Sequence, residues 1–135
     1  MEVTLAVAAR GLNGHEDGTM DILGVFDEIV TSEVPCIVGR MVLIVSLSAD
    51  ISEVGFERSM NVRLLAADGG EIGAFQDTFE VPDPRRSGSP SFFNRAYPLA
   101  NIQFPEPGPY AFSISIGNDL KRTVPLYISL DEGGT

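Results

Sequence analysis

The stretch FPEPGPYAFSISIGNDLKRTVPLYISL, residues 104–130, decides the fold that we predict for this chain. Residues 105–109 hold three prolines, which exclude both a helix and a central strand at that point. Residues 110–116 then alternate large apolar with small side chains, the period of two that is typical of a strand with one buried face. Residues 117–119 turn the chain, and residues 120–130 return. The stretch therefore predicts a proline-rich corner followed by a β-hairpin.

The rest of the chain shows the same organisation, with short apolar runs separated by turn residues at intervals of roughly 8–12 positions. Residues 41–45 form a continuous apolar run that becomes alternating further on, which predicts a central strand covered on both faces at one end. Asp68-Gly69 is the strongest hairpin signal, because this pair tolerates the positive φ angles that tight turns require. No segment predicts a helix, and about eight strands are expected.

These observations predict an all-β protein, an antiparallel two-sheet sandwich of about seven to eight strands with immunoglobulin- or fibronectin-like order. A jelly roll is the alternative, since strand patterns do not reveal strand order. Residues 1–130 are expected to form a single sandwich domain, and residues 131–135 a polar tail that frays. Residues 107–110, Pro-Gly-Pro-Tyr, resemble the tyrosine corner of such sandwiches, which implies that the Tyr110 hydroxyl bonds back to the backbone.

Charge and composition exclude several classes of partner. The chain of 135 residues has a formal net charge of −10, and residues 1–57 carry two arginines against ten acids, a net charge of −8. Such a surface repels polyanions, so neither nucleic acid nor an anionic membrane is an expected partner. Cys36 is the single cysteine, so an intrachain disulfide is excluded. No signal-peptide pattern or long apolar segment is present, and a cytoplasmic protein is expected.

No constellation in the sequence predicts catalysis, a metal or a cofactor. His15 lies in an acidic, glycine-rich loop, where an exposed side chain is the expected outcome. The loop carboxylates do not match the spacing of an EF-hand, and whether they bind calcium stays open. Cys36 precedes an apolar strand and is read as a buried structural thiol. We therefore expect the protein not to be an enzyme.

One basic neighbourhood stands out in the acidic chain, around the loop PDPRRSGSP at residues 82–90. Arginines and aromatics together are enriched at the centres of binding interfaces. The candidate binding surface consists of Arg85, Arg86, Phe92, Phe93, Arg95 and Tyr97.

Two segments carry a further resemblance, MDILGVFDEI at residues 20–29 and FPEPGPYAFSI at residues 104–114. In this order and separation they resemble a family of small uncharacterised bacterial proteins, a domain of unknown function. The resemblance implies a compact all-β sandwich in a bacterial cytoplasm, and it assigns no catalytic residue.

Four functions are compatible with this sequence. The leading hypothesis is a non-catalytic protein-interaction module that presents loops or an edge strand to a protein partner or to a second copy of itself. The alternative is a small-ligand or carbohydrate binder that uses Phe92, Phe93 and Tyr97 as a platform. A hydrolytic enzyme built on His15 or Cys36, and a subunit of a phage-like assembly, are weaker hypotheses.

Overall fold

Residues 1–131, the part of the chain that the computed structural model describes, form nine β-strands and one short 3-10 turn at Ile51–Glu53. The strands are β1 (Glu2–Gly14), β2 (Met20–Phe26), β3 (Glu28–Thr31), β4 (Cys36–Ala49), β5 (Glu57–Ala66), β6 (Glu71–Glu80), β7 (Ser91–Phe104), β8 (Gly108–Ile116) and β9 (Asp119–Leu130). The all-β prediction is confirmed, with nine strands in place of seven to eight. Of the tail predicted for residues 131–135, all but Asp131 lies outside the described residues.

The strands form two sheets packed face to face, one in the order β2-β1-β4-β7 and the other in the order β3-β9-β8-β5-β6. The pairs are antiparallel, as predicted, except at one edge, where β3 and β9 run parallel. The cause is a crossing of the chain at Asp27, where it leaves one sheet as β2 and enters the other as β3. The Tyr127 N–H donates to the Asp27 carbonyl at 2.8 Å and fixes this crossing.

The strand order is that of an immunoglobulin-type sandwich. In such a sandwich the strands A, B and E are neighbours in one sheet and C, F and G in the other. Here β1-β4-β7 and β5-β8-β9 take these two sets of places. The strand that would follow in the first sheet, beside β7, is replaced by the connection at residues 81–90. The jelly-roll alternative is therefore not the order adopted.

The tyrosine corner predicted at the start of β8 is present. The Tyr110 hydroxyl donates to the Glu106 carbonyl at 2.7 Å, and the Glu106 N–H donates to the Tyr110 hydroxyl oxygen at 3.3 Å. The ring is buried and packs edge-on against Phe104, with the centroids 5.0 Å apart. The corner thus ties the proline-rich connection to the core strand that follows it.

The main core lies between the two sheets and explains why the chain folds. Burying a large apolar side chain contributes about 1.5–3 kcal/mol relative to leaving it exposed. Nine large members of this core are less than 2% exposed: Met41, Leu43, Leu47, Met60, Phe104, Phe112, Ile114, Leu126 and Ile128.

A second, smaller core lies on the opposite face of β4. Val42 and Ile44 alternate with main-core residues, so their side chains point away from the other sheet, yet both are buried there together with Ala9. They are covered by the β1–β2 hairpin, through the half-buried side chains of Leu12, Met20, Val7 and Ile22. The prediction that β4 is covered on both faces at one end is confirmed. The sequence predicted that β1 ends near Gly11; it continues to Gly14 because β2 pairs with it along this hairpin.

Candidate functional site

The six residues of the predicted binding surface do not form one surface. Successive residues of a strand point to opposite faces, so Phe92 on β7 is 64% exposed while Phe93 and Tyr97 are half-buried against the main core. The platform of three coplanar aromatics, required by the carbohydrate hypothesis, is therefore not formed.

Arg85 and Arg86 lie instead beneath the tip of the β1–β2 hairpin. The Arg85 guanidinium donates to the Asp17 backbone carbonyl. Within the tip, the Thr19 hydroxyl and N–H donate to the Asp17 carboxylate at 2.6 and 2.9 Å, and they lower the pKa of that carboxyl. The Asn94 amide reaches the Gly18 carbonyl at 3.5 Å. These contacts dock the hairpin tip across the first sheet.

A cavity of about 450 Å³ lies below this tip, and its walls include Arg85, Arg86, Phe92 and Phe93. Its polar side chains bond to their neighbours: the Ser46 hydroxyl donates to Asn94 at 2.7 Å, and the Ser89 hydroxyl donates to the Arg86 carbonyl at 3.0 Å. The positive charge of Arg85 also helps to lower the pKa of the Asp17 carboxyl at the tip.

The remaining predicted residues, Phe93, Arg95 and Tyr97, face β6 across the gap between the two sheets. We call this gap, bounded by the edge strands β6 and β7, the seam. Arg95 donates through Nε and Nη2 to Asp77 Oδ2 at 2.9 and 2.6 Å, and the Tyr97 hydroxyl donates to the same oxygen at 2.7 Å. Three donors on one strand thus converge on one carboxylate of the other.

The pKa shifts of Arg95 and Tyr97 indicate that both side chains keep their protons, so their bonds to Asp77 persist over the ordinary pH range. Burial raises the pKa of the Tyr97 hydroxyl well above its usual value, and the bond to Asp77 raises it further, so the hydroxyl stays protonated. Burial alone lowers the pKa of Arg95, but its bonds to Asp77 and Tyr97 outweigh that effect. Asp77 therefore faces a charged guanidinium and a neutral phenol at any ordinary pH.

Ring contacts close the same half of the seam. Phe79 meets Phe93 edge-on with centroids 5.6 Å apart, and the Arg95 guanidinium lies 5.1 Å from the Phe79 centroid. Phe75 and Tyr97, with centroids 4.9 Å apart, mark the end of this closed half. Phe93, Arg95 and Tyr97 are thus part of a clamp between the sheets, on the inner side of the molecule.

Beyond Phe75 the seam is open. A groove of about 460 Å³, which we call the seam groove, runs between the two edge strands. Its floor is formed by the core residues Val62, Leu64 and Phe112, and its sides by Ile72–Phe75 of β6 and by Leu99, Asn101, Ile102 and Gln103 of β7.

Gly73 is the reason that the groove exists. It pairs with Leu64, whose side chain lies in the main core, so position 73 faces the interior of the sandwich. A Cβ built on Gly73 meets nothing within 4 Å. The next two inward positions of β6 carry Phe75 and Asp77, which fill or bridge the seam. At Gly73 the corresponding side chain is missing.

The backbone of β6 is free along this groove. Gly117 donates to the Ser59 carbonyl at 2.9 Å and Val81 donates to the Phe56 carbonyl at 2.9 Å. Because backbone groups of an antiparallel ladder alternate in direction, the N–H and C=O groups of Ala74, Gln76 and Thr78 point away from β5, toward the open edge.

The other edge strands are poorer templates for pairing. β3 has four residues, β2 contains Gly24 with φ at +67°, and β7 contains Pro98 and also Asn101 with φ at +55°. Short edges, irregular backbone and proline all oppose strand addition. β6 has a register shift of its own, between Glu71 and Gly73, but residues 73–76 beyond it pair regularly with β5 and carry neither proline nor charge. Of the edges in residues 1–131, β6 is therefore the one suited to pair with another strand.

His15 and Cys36 lie apart from the seam groove. His15 is exposed at the hairpin and contacts Asp21 at 2.9 Å, as an exposed loop side chain was expected to be. Cys36 is a half-buried free thiol packed against the main core. Within residues 1–131, no three His, Cys, Asp or Glu side chains are grouped to hold a metal ion, and no helix is long and apolar enough to cross a membrane.

The binding surface predicted from the sequence included residues of β7, but it did not include Gly73 or the edge of β6. The signal was present, because Gly73 is in phase with the inward residues Phe75 and Phe79.

Comparison with known proteins agrees with the predicted resemblance: residues 4–129 match a family described as "Family of unknown function (DUF6941)". No curated protein matches the chain.

Proposed function

The chain belongs to this family of unknown function, and from its own geometry we propose that it is a non-catalytic protein-interaction module that binds an extended segment of a partner protein along β6. The observation that carries the proposal is the combination of a free, uncharged edge with the seam groove beside it. In such β-augmentation, main-chain hydrogen bonds supply affinity and pockets for alternate side chains supply specificity.

The dimensions of the groove fit a short extended segment. The part of β6 that lines the groove spans Ile72–Phe75, and the part of β7 spans Leu99–Gln103. At about 3.3 Å per residue, this corresponds to roughly 15 Å of extended chain. A strand added to β6 would point every second side chain toward the groove, so about two side chains would enter it.

A protein segment is favoured over the competing occupants. The groove is lined mainly by apolar side chains, and the polar groups beside it are the repeated backbone amides and carbonyls of β6, which match a polypeptide. A second copy of the chain is disfavoured as occupant, because each copy carries a net charge of −10 and like charges repel.

We place the interaction in the bacterial cytoplasm. The chain has a single cysteine and hence no intrachain disulfide, and proteins of reducing compartments rarely carry disulfides. This assignment of compartment and source also rests on the family resemblance of the two segments described above.

The test uses a displayed library of seven-residue peptides, followed by chemical-shift mapping of the selected peptides on isotope-labelled protein. We expect the shifts to fall on Ala74, Gln76 and Thr78 and on the residues that line the seam groove. Selected peptides that shift the hairpin tip, or none that shift β6, would overturn the proposal.

A matched pair of variants at one position tests the role of the backbone. Ala74→Pro removes an outward N–H and leaves the ladder with β5 intact, whereas Ala74→Val keeps that N–H and favours a strand. Loss of one main-chain hydrogen bond, about 0.5–1.5 kcal/mol, together with the clash of the proline ring, is expected to weaken binding about tenfold or more. The valine variant is expected to bind like the parent. Equal binding by all three proteins contradicts augmentation at β6.

A further inference from the structure

We infer that the partner segment is aliphatic and basic: it inserts an aliphatic side chain at Gly73 and places a lysine or arginine beside Asp68 and Glu106. This inference rests on the proposed binding along β6 and specifies the chemistry of its partner.

The aliphatic requirement follows from what surrounds the missing side chain. The floor below Gly73 is Val62 and Leu64, which are 1% and 3% exposed, and the walls include Ile72, Leu99 and Ile102. The polar side chains of the lining, Asn101 and Gln103, come from β7. A branched aliphatic side chain entering from outside meets apolar atoms on the floor and on both sides, contacts that the free groove lacks.

The basic requirement follows from the neighbouring rim. A depression of about 400 Å³ adjoins the seam groove through Ile72 and is lined by Asp68, Glu71 and Glu106. Glu71 is neutralised by Arg63, whose Nε lies 2.7 Å from its carboxylate. Among residues 1–131, the exposed carboxylates of Asp68 and Glu106 have no salt-bridge partner within 4 Å. A cation on the partner would meet both.

The two requirements together set a register. Antiparallel pairs are slightly more stable than parallel ones, so we assign the segment an antiparallel direction along β6. The residue paired with Gly73 is then the aliphatic one. Because Ile72 is an extra residue at the register shift of β6, the segment reaches Glu71 and the acidic rim one or two positions later. The basic residue therefore follows the aliphatic residue by two to four positions.

The probe is a capped heptapeptide of sequence TVSVTKT, in which the second valine pairs with Gly73 and the lysine approaches the rim. Binding is measured by chemical-shift titration. We expect replacement of the lysine by glutamate, or of the second valine by serine, to weaken binding at least tenfold. Added salt should weaken the parent peptide, because the ion pairs at the rim are exposed and are screened.

The matched protein variants are Gly73→Val and Ala74→Val. The first fills the groove from within and is expected to abolish binding of TVSVTKT; the second adds a similar side chain to the opposite face of the same strand and is expected to leave binding unchanged. Both variants should remain folded, because a Cβ at Gly73 meets open space and Ala74 is exposed.

The outcomes separate the inference from the proposed function. If the glutamate peptide binds as well as the lysine peptide, and Ala74→Pro abolishes both, the basic partner is overturned while augmentation at β6 stands. If Gly73→Val binds TVSVTKT as the parent protein does, insertion at Gly73 is overturned. If neither TVSVTKT nor any library peptide shifts β6, both the inference and the proposed function are overturned.

Discussion

Replacing Tyr110 by phenylalanine should destabilise the protein by about 1 kcal/mol, because it removes a single hydroxyl from the tyrosine corner. That hydroxyl donates to the Glu106 carbonyl at 2.7 Å and accepts a longer, weaker bond from the Glu106 N–H at 3.3 Å, whereas the ring packing against Phe104 is retained. A neutral hydrogen bond contributes about 0.5–1.5 kcal/mol. Glu106 is exposed and this bond is only part-buried, so the larger penalty for a fully buried unpaired group does not apply.

The same figure predicts a shift in melting temperature. An unfolding entropy of about 2.1 cal/mol/K per residue gives about 0.28 kcal/mol/K for 135 residues, so 1 kcal/mol lowers Tm by about 3–4 °C. The assay is urea and thermal denaturation of the parent and of Tyr110→Phe. The slope of the urea transition should not change, because the surface exposed on unfolding is the same.

Tyr127→Phe is the matched control. Tyr127 lies on the neighbouring strand β9, is 49% exposed, and its hydroxyl is not part of the corner. We expect its midpoint to equal that of the parent. Equal midpoints for Tyr110→Phe and the parent would refute the reasoning, as would equal losses in the two phenylalanine variants.

Three further predictions concern stability. Gly73→Val should raise the free energy of unfolding by about 1 kcal/mol, because glycine weakens a strand by roughly 0.5–1 kcal/mol and the new side chain enters open space; a lower urea midpoint would contradict this. Asp77→Asn should lower the free energy of unfolding by about 1–2 kcal/mol, a figure kept small because Arg95 is 36% exposed and the ion pair is partly screened by solvent. Amide exchange should rise in β6 relative to β8. Unchanged exchange would show that the contacts of Asp77 do not hold the two sheets together at the seam. Burial alone would raise the pKa of Glu53, but the Asp50 N–H and nearby positive charges lower it, so its stabilising contribution is present at neutral pH and is lost as pH falls through that lowered pKa. Urea midpoints of the parent and of Glu53→Gln should therefore differ at pH 7 and converge at about pH 2, well below the usual carboxyl range; a constant difference would contradict the linkage.

The parts of the fold that the sequence predicted are those encoded by local pattern. The corner and hairpin of residues 104–130 combine proline, a period of two and a turn, and each feature acts within a few residues. The two-sided burial of β4 was visible because Val42 and Ile44 add an apolar outer face to an apolar inner one.

The parts that were missed depend on which strand becomes a neighbour. Residues 20–30 read as one extended stretch, and its alternation does not reveal that the chain crosses between sheets at Asp27 and pairs in parallel with β9. β1 continues beyond Gly11 because Leu12 pairs with Ile22 across the hairpin, and this pairing outweighs the low strand propensity of glycine.

The candidate site shows the same division. Proximity in sequence grouped Phe92 with Phe93 and Tyr97, although strand alternation places Phe92 on the opposite face. Gly73 is recognisable as an empty inward position, but its importance depends on β7 lying across the seam, beside it in space and 18 or more residues away in sequence.

Amide hydrogen exchange of β6 with and without TVSVTKT tests directly whether this edge binds an extended segment. The amides of Ala74 and Gln76, which point away from β5, should exchange rapidly in the free protein and be protected at least tenfold by saturating peptide. The amides of Phe75 and Asp77, which point toward β5, should be protected in both states. If the amides of Ala74 and Gln76 are already slow in the free protein, or remain fast when the peptide is bound, β6 is not the edge at which this protein binds its partner.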